Sequence, residues 1–284
     1  MKIRDYRAYF IQESTPICSA EEAESFFYII LEDLQQLKRV DLALNPDLSL
    51  SEEQLNKWNA YLSQLKLEIP VQYVLGKTNF FGLDFEVNPA VLIPRPETEE
   101  LVDWIIESQK ETSKDQNLRI IDIGTGSGCI AISLAKNIPN AQVTALDVSV
   151  DALATAQKNA QNNKVDVVFK NQNILETNDL QEQFDVIVSN PPYIRNLEKV
   201  EIKKNVLDYE PHLALFVEND NALIFYKKIA ELAQKNLKPN GFLFFEINQY
   251  LGPEMIGMLQ GLGFKNIILK KDIYGNDRMI RSTY

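Results

Sequence analysis

Two short stretches carry residue types able to bind a ligand and act on it. The first is Ile121-Asp122-Ile123-Gly124-Thr125-Gly126-Ser127-Gly128. Glycines at this spacing let the backbone turn tightly and approach a ligand without a Cβ in the way. A helix that follows such a turn presents its first N–H groups to that ligand. Asp147 closes the next apolar run, 23 residues after Gly124. An acidic residue there is placed to accept both hydroxyls of a ribose. Together the two features leave nicotinamide, flavin or S-adenosylmethionine as candidate cofactors. The second stretch is Asn190-Pro191-Pro192-Tyr193, directly after the apolar run Asp185-Val186-Ile187-Val188-Ser189. The prolines fix the backbone and push the residue before each into an extended conformation. The carbonyls of Asn190 and Pro191 then have no helical partners and can face a cleft. With the Asn190 amide and the Tyr193 ring, they suit a planar nitrogen, whose N–H protons need acceptors and whose face needs cover.

The elements around these stretches follow from periodicity. From Arg119 onward strands alternate with helices. Strands are expected at 119–123, 141–146, 165–169, 184–188 and 241–247, followed by a terminal pair starting at Lys265 and ending near Met279 to Arg281. Helices are expected at 127–136, 150–162, 221–235 and 254–262. This alternation implies right-handed crossovers and a mainly parallel sheet covered on both faces. Ahead of it, Asn79 to Val87 alternates apolar and polar residues around Gly82 and reads as a β-hairpin. Val91-Leu92-Ile93-Pro94-Arg95-Pro96-Glu97-Thr98 is held extended by its prolines and leads into a helix from Glu99. From Ser19 the pattern is helical, and residues 1 to about 75 read either as a small helical domain or as a helical extension packed on the main domain. Ser19 with Glu22 and Ser51 with Gln54 have capping-box spacing. Phe26, Phe27, Ile30, Leu31, Leu34 and Leu37 form one apolar stripe, and Leu55, Trp58, Leu62 and Leu65 form another.

Composition narrows the function classes. Of 284 residues, 29 are Lys or Arg and 40 are Asp or Glu, a formal charge of −11. That balance argues against general nucleic-acid affinity, which rests on neutralising phosphates. No apolar stretch reaches the length of a membrane span. Cys18 and Cys129 are too few for a disulfide framework or a metal cluster. With an N-terminus that lacks the apolar run of a signal peptide, they point to the cytoplasm. His212 is the single histidine. It reads as a surface or structural residue, and Arg95 either neutralises a ligand carboxylate or holds its own loop.

Gly124-Thr125-Gly126-Ser127-Gly128 with Asn190-Pro191-Pro192-Tyr193 resembles the class I S-adenosylmethionine-dependent N-methyltransferases. The segment Val91 to Glu99 resembles the signature of the protein-(glutamine-N5) methyltransferases that act on peptide chain release factors. The resemblance extends over the helical N-terminal part, the Phe-Gly-Leu-Asp-Phe hairpin, Tyr209-Glu210-Pro211, Ala214-Leu215-Phe216 and Tyr274-Gly275-Asn276-Asp277-Arg278. It implies an α/β fold: a Rossmann-like, seven-stranded methyltransferase domain at 96–284, a helical substrate-recognition domain at 1–75 and a hairpin linker at 76–95. It implies S-adenosyl-L-methionine as cofactor, held by Gly124, Thr125, Gly126, Ser127, Gly128, Asp147 and Asn190, with Ile174 near the adenine. Asn190, Pro191, Pro192 and Tyr193 then form the acceptor site for the glutamine of the Gly-Gly-Gln loop of class I release factors. A monomer with no direct nucleic-acid or membrane partner is expected. The chain departs from the family pattern at Val217 to Leu223 and at Asn248, where the family usually has Gly. Two other readings stand beside this one: an adenine-N6 or guanine-N2 nucleic-acid methyltransferase, because Asn-Pro-Pro-Tyr also serves exocyclic amines, and a cofactor-binding module without catalysis.

Overall fold

Periodicity and caps set the first helices. The computed structural model describes residues 1–110 and 117–284, which divide into two units. The smaller comprises Met1–Gly76 together with Lys203–Tyr209. It holds α1 (Ile3–Ser14), α2 (Ala20–Gln35), α3 (Arg39–Leu44), α4 (Glu52–Leu65) and α5 (Val71–Leu75). At α4 the Ser51–Gln54 capping box forms in both directions. At α2 only the forward bond forms, from Glu22 N–H to Ser19 Oγ at 3.1 Å, and the Glu22 carboxylate reaches Lys203 instead. Helix α1 carries no capping signal, and its N-cap Lys2 makes no side-chain cap bond. It forms because Ile3, Tyr6 and Phe10, on one face, are buried by the rest of the unit. Trp58 of α4 is the centre of that core, stacked on Phe27 at 4.9 Å and met edge-on by Tyr6 and Phe10.

The larger unit comprises Lys77–Ile202 and Glu210–Tyr284. Its strands are β1 (Lys77–Phe80), β2 (Leu83–Glu86), β3 (Arg119–Ile123), β4 (Gln142–Asp147), β5 (Val167–Asn171), β6 (Phe184–Ser189), β7 (Ile194–Arg195), β8 (Phe216–Val217), β9 (Leu237–Glu246), β10 (Lys265–Lys271) and β11 (Asp277–Thr283). The helices that follow α5 in the chain are α6 (Pro96–Lys110), α7 (Cys129–Asn137), α8 (Val150–Asn163), α9 (Lys204–Tyr209, in the smaller unit), α10 (His212–Leu215), α11 (Ile224–Asn236) and α12 (Gly252–Gly261). Among the described residues the main sheet has seven strands in the order β10-β11-β9-β6-β3-β4-β5. Strands β9, β6, β3, β4 and β5 are parallel, and β11 runs antiparallel between β9 and β10. The two faces bury separate cores, one with α6 and α7 and one with α11 and α12. Residues buried on both faces explain why these strands read as continuous apolar runs. The hairpin β1–β2 packs Phe80 and Phe85 into the first of these cores. Helix α6 fixes the hairpin turn, because Glu99 Oε1 accepts the Phe81 N–H at 2.8 Å.

The order in which successive strands are added to the sheet reverses at β3. Strand β4 lies on one side of it and β6 on the other. In an open α/β sheet such a switch point leaves a crevice beyond the carboxyl ends of the strands.

Candidate active site

A cavity of about 410 Å³ opens at that crevice. This is within the range of roughly 300–1,000 Å³ typical of small-molecule sites. Strand β3 delivers the glycine loop to its wall. Gly124 N–H and Thr125 N–H both donate to the Leu146 carbonyl, at 2.8 and 3.0 Å, which pins the loop across the end of β4. Gly126 N–H donates to Asp147 Oδ2 at 2.8 Å, and Ser149 N–H donates to Asp147 Oδ1 at 2.9 Å. An ionised carboxylate has about four acceptor positions, so Asp147 keeps capacity for two hydroxyls. Gly126 has φ +54° with nothing close to an added Cβ, so its glycine answers a backbone requirement.

Gly124, Thr125, Gly126, Ser127, Asp147, Ile174, Asn190, Pro191 and Pro192 line the one cavity. Two expected residues lie outside its wall. Gly128 has φ +82°, and a Cβ there would meet Ile132 Cδ1 at 2.8 Å and Ala156 Cβ at 3.1 Å. Its glycine is explained by the close approach of α7 and α8. The ring of Tyr193 packs against the core beside α11, and its hydroxyl donates to Glu246 Oε1 at 3.1 Å. Burial and the Glu246 charge push that phenol above its ordinary pKa. The site also contains residues the sequence reading passed over. Val148 is one, and it joins Ile174 and Leu175 on the wall. Thr98 stands beside Asn190, whose Nδ2 donates to Thr98 Oγ1 at 3.4 Å. Thr98 in turn donates to Glu246 Oε2 at 2.6 Å. Burial raises the Glu246 pKa, against the opposing pull of Thr98, Arg278 and Tyr193. A signal for Glu246 was available: it is a carboxylate ending the apolar run Phe242-Leu243-Phe244-Phe245.

Arg95 also faces the cavity, and its guanidinium is ion-paired with the buried Glu210. Glu210 Oε2 accepts the Ile93 N–H at 3.2 Å. One carboxylate thus ties the Ile-Pro-Arg-Pro segment to Tyr-Glu-Pro, so Arg95 holds its loop. His212 is exposed, with its ring edge-on to Phe216 at 5.2 Å. The two departures from the family pattern meet on one segment. Asn248 Nδ2 donates to the Tyr193 carbonyl at 3.1 Å and to Glu198 Oε2 at 2.9 Å. Asn219 Oδ1 accepts the Leu197 N–H, and Glu218 accepts from Asn196. Both therefore brace the chain immediately after Asn-Pro-Pro-Tyr.

Behind the glycine loop, Asp122 is fully buried and accepts the Thr125 hydroxyl at 2.6 Å. Desolvation raises its pKa from 3.8 to about 7, against the Thr125 bond. A carboxyl whose pKa is higher folded than unfolded stabilises the fold below its unfolded pKa, and that contribution is lost as pH rises through the folded value. In the free protein Asp122→Asn should therefore raise Tm at pH 8 and change it little at pH 4, because the amide carbonyl still accepts from Thr125. Thermal unfolding of both proteins across pH 4–8 checks this. A Tm difference independent of pH would show that Asp122 remains ionised.

A seven-stranded sheet with one reversed strand, a glycine loop and an acidic strand end on a single cavity define a class I S-adenosylmethionine-dependent methyltransferase. The catalytic domain of hMettl16 in complex with a MAT2A 3′UTR hairpin shares the fold, with TM-score 0.56, 19% identity, and 72% of this chain and 76% of that one covered. The Methyltransferase small domain matches residues 106–211, and the PrmC N-terminal domain matches residues 17–76. A release factor glutamine methyltransferase of Flavobacterium psychrophilum is 63% identical over 284 residues, all of both chains. One from Bacteroides thetaiotaomicron is 42% identical over 274 residues, 96% of this chain and 97% of the other. The chain belongs to the release factor glutamine methyltransferase family.

Proposed function

We propose that this protein methylates the side-chain amide nitrogen, N5, of the glutamine in the Gly-Gly-Gln loop of class I release factors. The observation that carries the reading is that Asn190 and Pro191 line the same cavity as the glycine loop and Asp147. The residues present fit S-adenosyl-L-methionine. Gly124, Thr125, Gly126 and Ser127 offer backbone at close approach, Asp147 offers acceptors for ribose hydroxyls, and Ile174 with Val148 and Leu175 offers apolar contact for the adenine. When bound, that cofactor supplies an electrophilic methyl group on a sulfonium.

The protein's own residues supply position. An amide nitrogen is a poor nucleophile because its lone pair is delocalised into the carbonyl. Holding it in reacting geometry contributes roughly 7–11 kcal/mol through proximity. Asn190 Oδ1 and the Pro191 carbonyl accept its two N–H protons. Those hydrogen bonds strengthen as the nitrogen becomes positive, so they favour the transition state over the bound substrate. No strong base is required beforehand, because the methylated nitrogen is acidic. The helices at 1–75 recognise the release factor, the hairpin at 76–95 links them to the catalytic part at 96–284, and the enzyme works as a cytoplasmic monomer.

Mass spectrometry of a release factor incubated with the enzyme and cofactor tests the reading. A gain of one methyl group on the Gly-Gly-Gln glutamine is expected. Methylation of adenine or guanine in nucleic acid, with the release factor unmodified, would replace it with the nucleic-acid reading. A change at the cofactor end is also expected. Asp147→Ala removes a charged acceptor and should weaken cofactor binding by about 1.5–3 kcal/mol, the scale of hydrogen bonds to charged groups. Calorimetry giving an unchanged Kd would remove Asp147 from the ribose role.

A further inference from the structure

We propose that Thr98 and Glu246 are positioning residues that orient the Asn190 amide so that Oδ1, and not Nδ2, faces the substrate nitrogen. The proposal rests on the reading of Asn190 as acceptor of the substrate amide proton. Its basis is the direction of each bond in the chain from Glu246 to Asn190.

A carboxylate only accepts hydrogen bonds once ionised, and Thr98, Arg278 and Tyr193 favour that form of Glu246 against its burial. Glu246 is buried and receives two, from Thr98 Oγ1 at 2.6 Å and from Tyr193 at 3.1 Å. Thr98 has a single hydroxyl proton, and the short bond to Glu246 uses it. Its oxygen is therefore left as an acceptor. Of the two ends of the Asn190 amide, only the NH₂ can satisfy an acceptor, and Nδ2 lies 3.4 Å from Thr98 Oγ1. With NH₂ so engaged, Oδ1 is directed elsewhere. Among the described residues no hydrogen bond reaches Oδ1, and both Asn190 and Thr98 line the cavity. The opposite rotamer would set Oδ1 against the Thr98 oxygen, two acceptors facing one another, and would present NH₂ to the N–H groups of the substrate. At 3.4 Å the Asn190–Thr98 bond is long, as bonds of catalytic groups often are before substrate binds. Thr98 is the third residue of α6, so a rigid helix holds the hydroxyl, and β9 holds the carboxylate behind it.

The measurement is a double-mutant cycle on the full chain, with steady-state methylation of release factor as readout. Thr98→Val removes the hydroxyl and keeps the size. It should lower kcat about tenfold, the scale of one hydrogen bond, and leave the KM for release factor and the Kd for S-adenosylmethionine unchanged. Thr98→Ser restores the hydroxyl and should return kcat to within about twofold of wild type, the limit at which independent effects still add. In an Asn190→Ala background Thr98→Val should cost less than about twofold, because there is no amide left to orient. If Thr98→Val does not fold, Glu246→Gln, of the same size, closes the same cycle. A tenfold loss that persists in the Asn190→Ala background overturns the positioning proposal and leaves the role of Asn190 standing. Wild-type turnover by Asn190→Ala removes the acceptor reading itself, and the positioning proposal with it.

Discussion

Asn190→Ala lowers turnover of release factor by about 10²–10³-fold, comparable to losing one preorganised donor or acceptor at a transition state. The expectation follows from the site's geometry. Asn190 stands at the carboxyl end of β6, on the wall shared with the glycine loop, and its neighbours leave Oδ1 free to accept. Pro191 and Pro192 still hold the loop in the variant, and Ser189 Oγ still bonds the Ile123 carbonyl at 2.6 Å. The Kd for S-adenosylmethionine and the Tm should therefore change little. Asn190→Asp should be milder than Ala, because a carboxylate still accepts the substrate proton. It remains below wild type, because it cannot donate to Thr98 and adds a negative charge near Glu246. Steady-state kinetics with calorimetry separates the outcomes. A loss of activity that merely tracks a loss of Tm would assign Asn190 to the fold. Equal damage from Asp and Ala would mean that the donated bond or the neutrality of the site matters more than the acceptor.

Trp58→Ala costs about 3–5 kcal/mol of stability, the range for removing a large aromatic side chain from a core. Trp58 is completely buried, stacked on Phe27 and enclosed by Tyr6 and Phe10. Its loss leaves three aromatic neighbours facing a cavity in a unit of fewer than ninety residues, where a small core has little reserve. The functional consequence should be selective. All residues proposed to hold the cofactor belong to the larger unit, so binding of S-adenosylmethionine at low temperature should persist. Methylation of whole release factor should fall steeply, if the helices at 1–75 carry recognition. Calorimetry and methylation assays on the same preparation test both halves. Full-rate methylation by a variant whose helical unit has melted would end the recognition role.

Local pattern in the sequence determined the larger part of this protein. Alternating apolar runs and helical stripes set β3 to β6 and helices α7, α8, α11 and α12, because burial on both faces and on one face leave different periods. Glycines after β3 and two prolines after β6 marked the ends of the strands where ligands sit, because each residue type restricts its own backbone regardless of what lies elsewhere. Helix α1 was not legible, since its stripe is short and its start carries no cap. The boundary of the smaller unit was only partly legible: nothing near Lys203–Tyr209 signals that it groups with Met1–Gly76. The roles expected of Gly128 and Tyr193 illustrate the limit more sharply. Both sit in the right motif, yet one glycine serves helix packing and the ring turns toward Glu246. Tertiary structure alone decided the orientation of the Asn190 amide and the anchoring of Arg95. Thr98 and Glu246 are 148 residues apart, Thr98 and Asn190 are 92, and Arg95 and Glu210 are 115. A hydrogen bond is directional and short, so which partners meet depends on how whole elements pack, and no spacing along the chain encodes that.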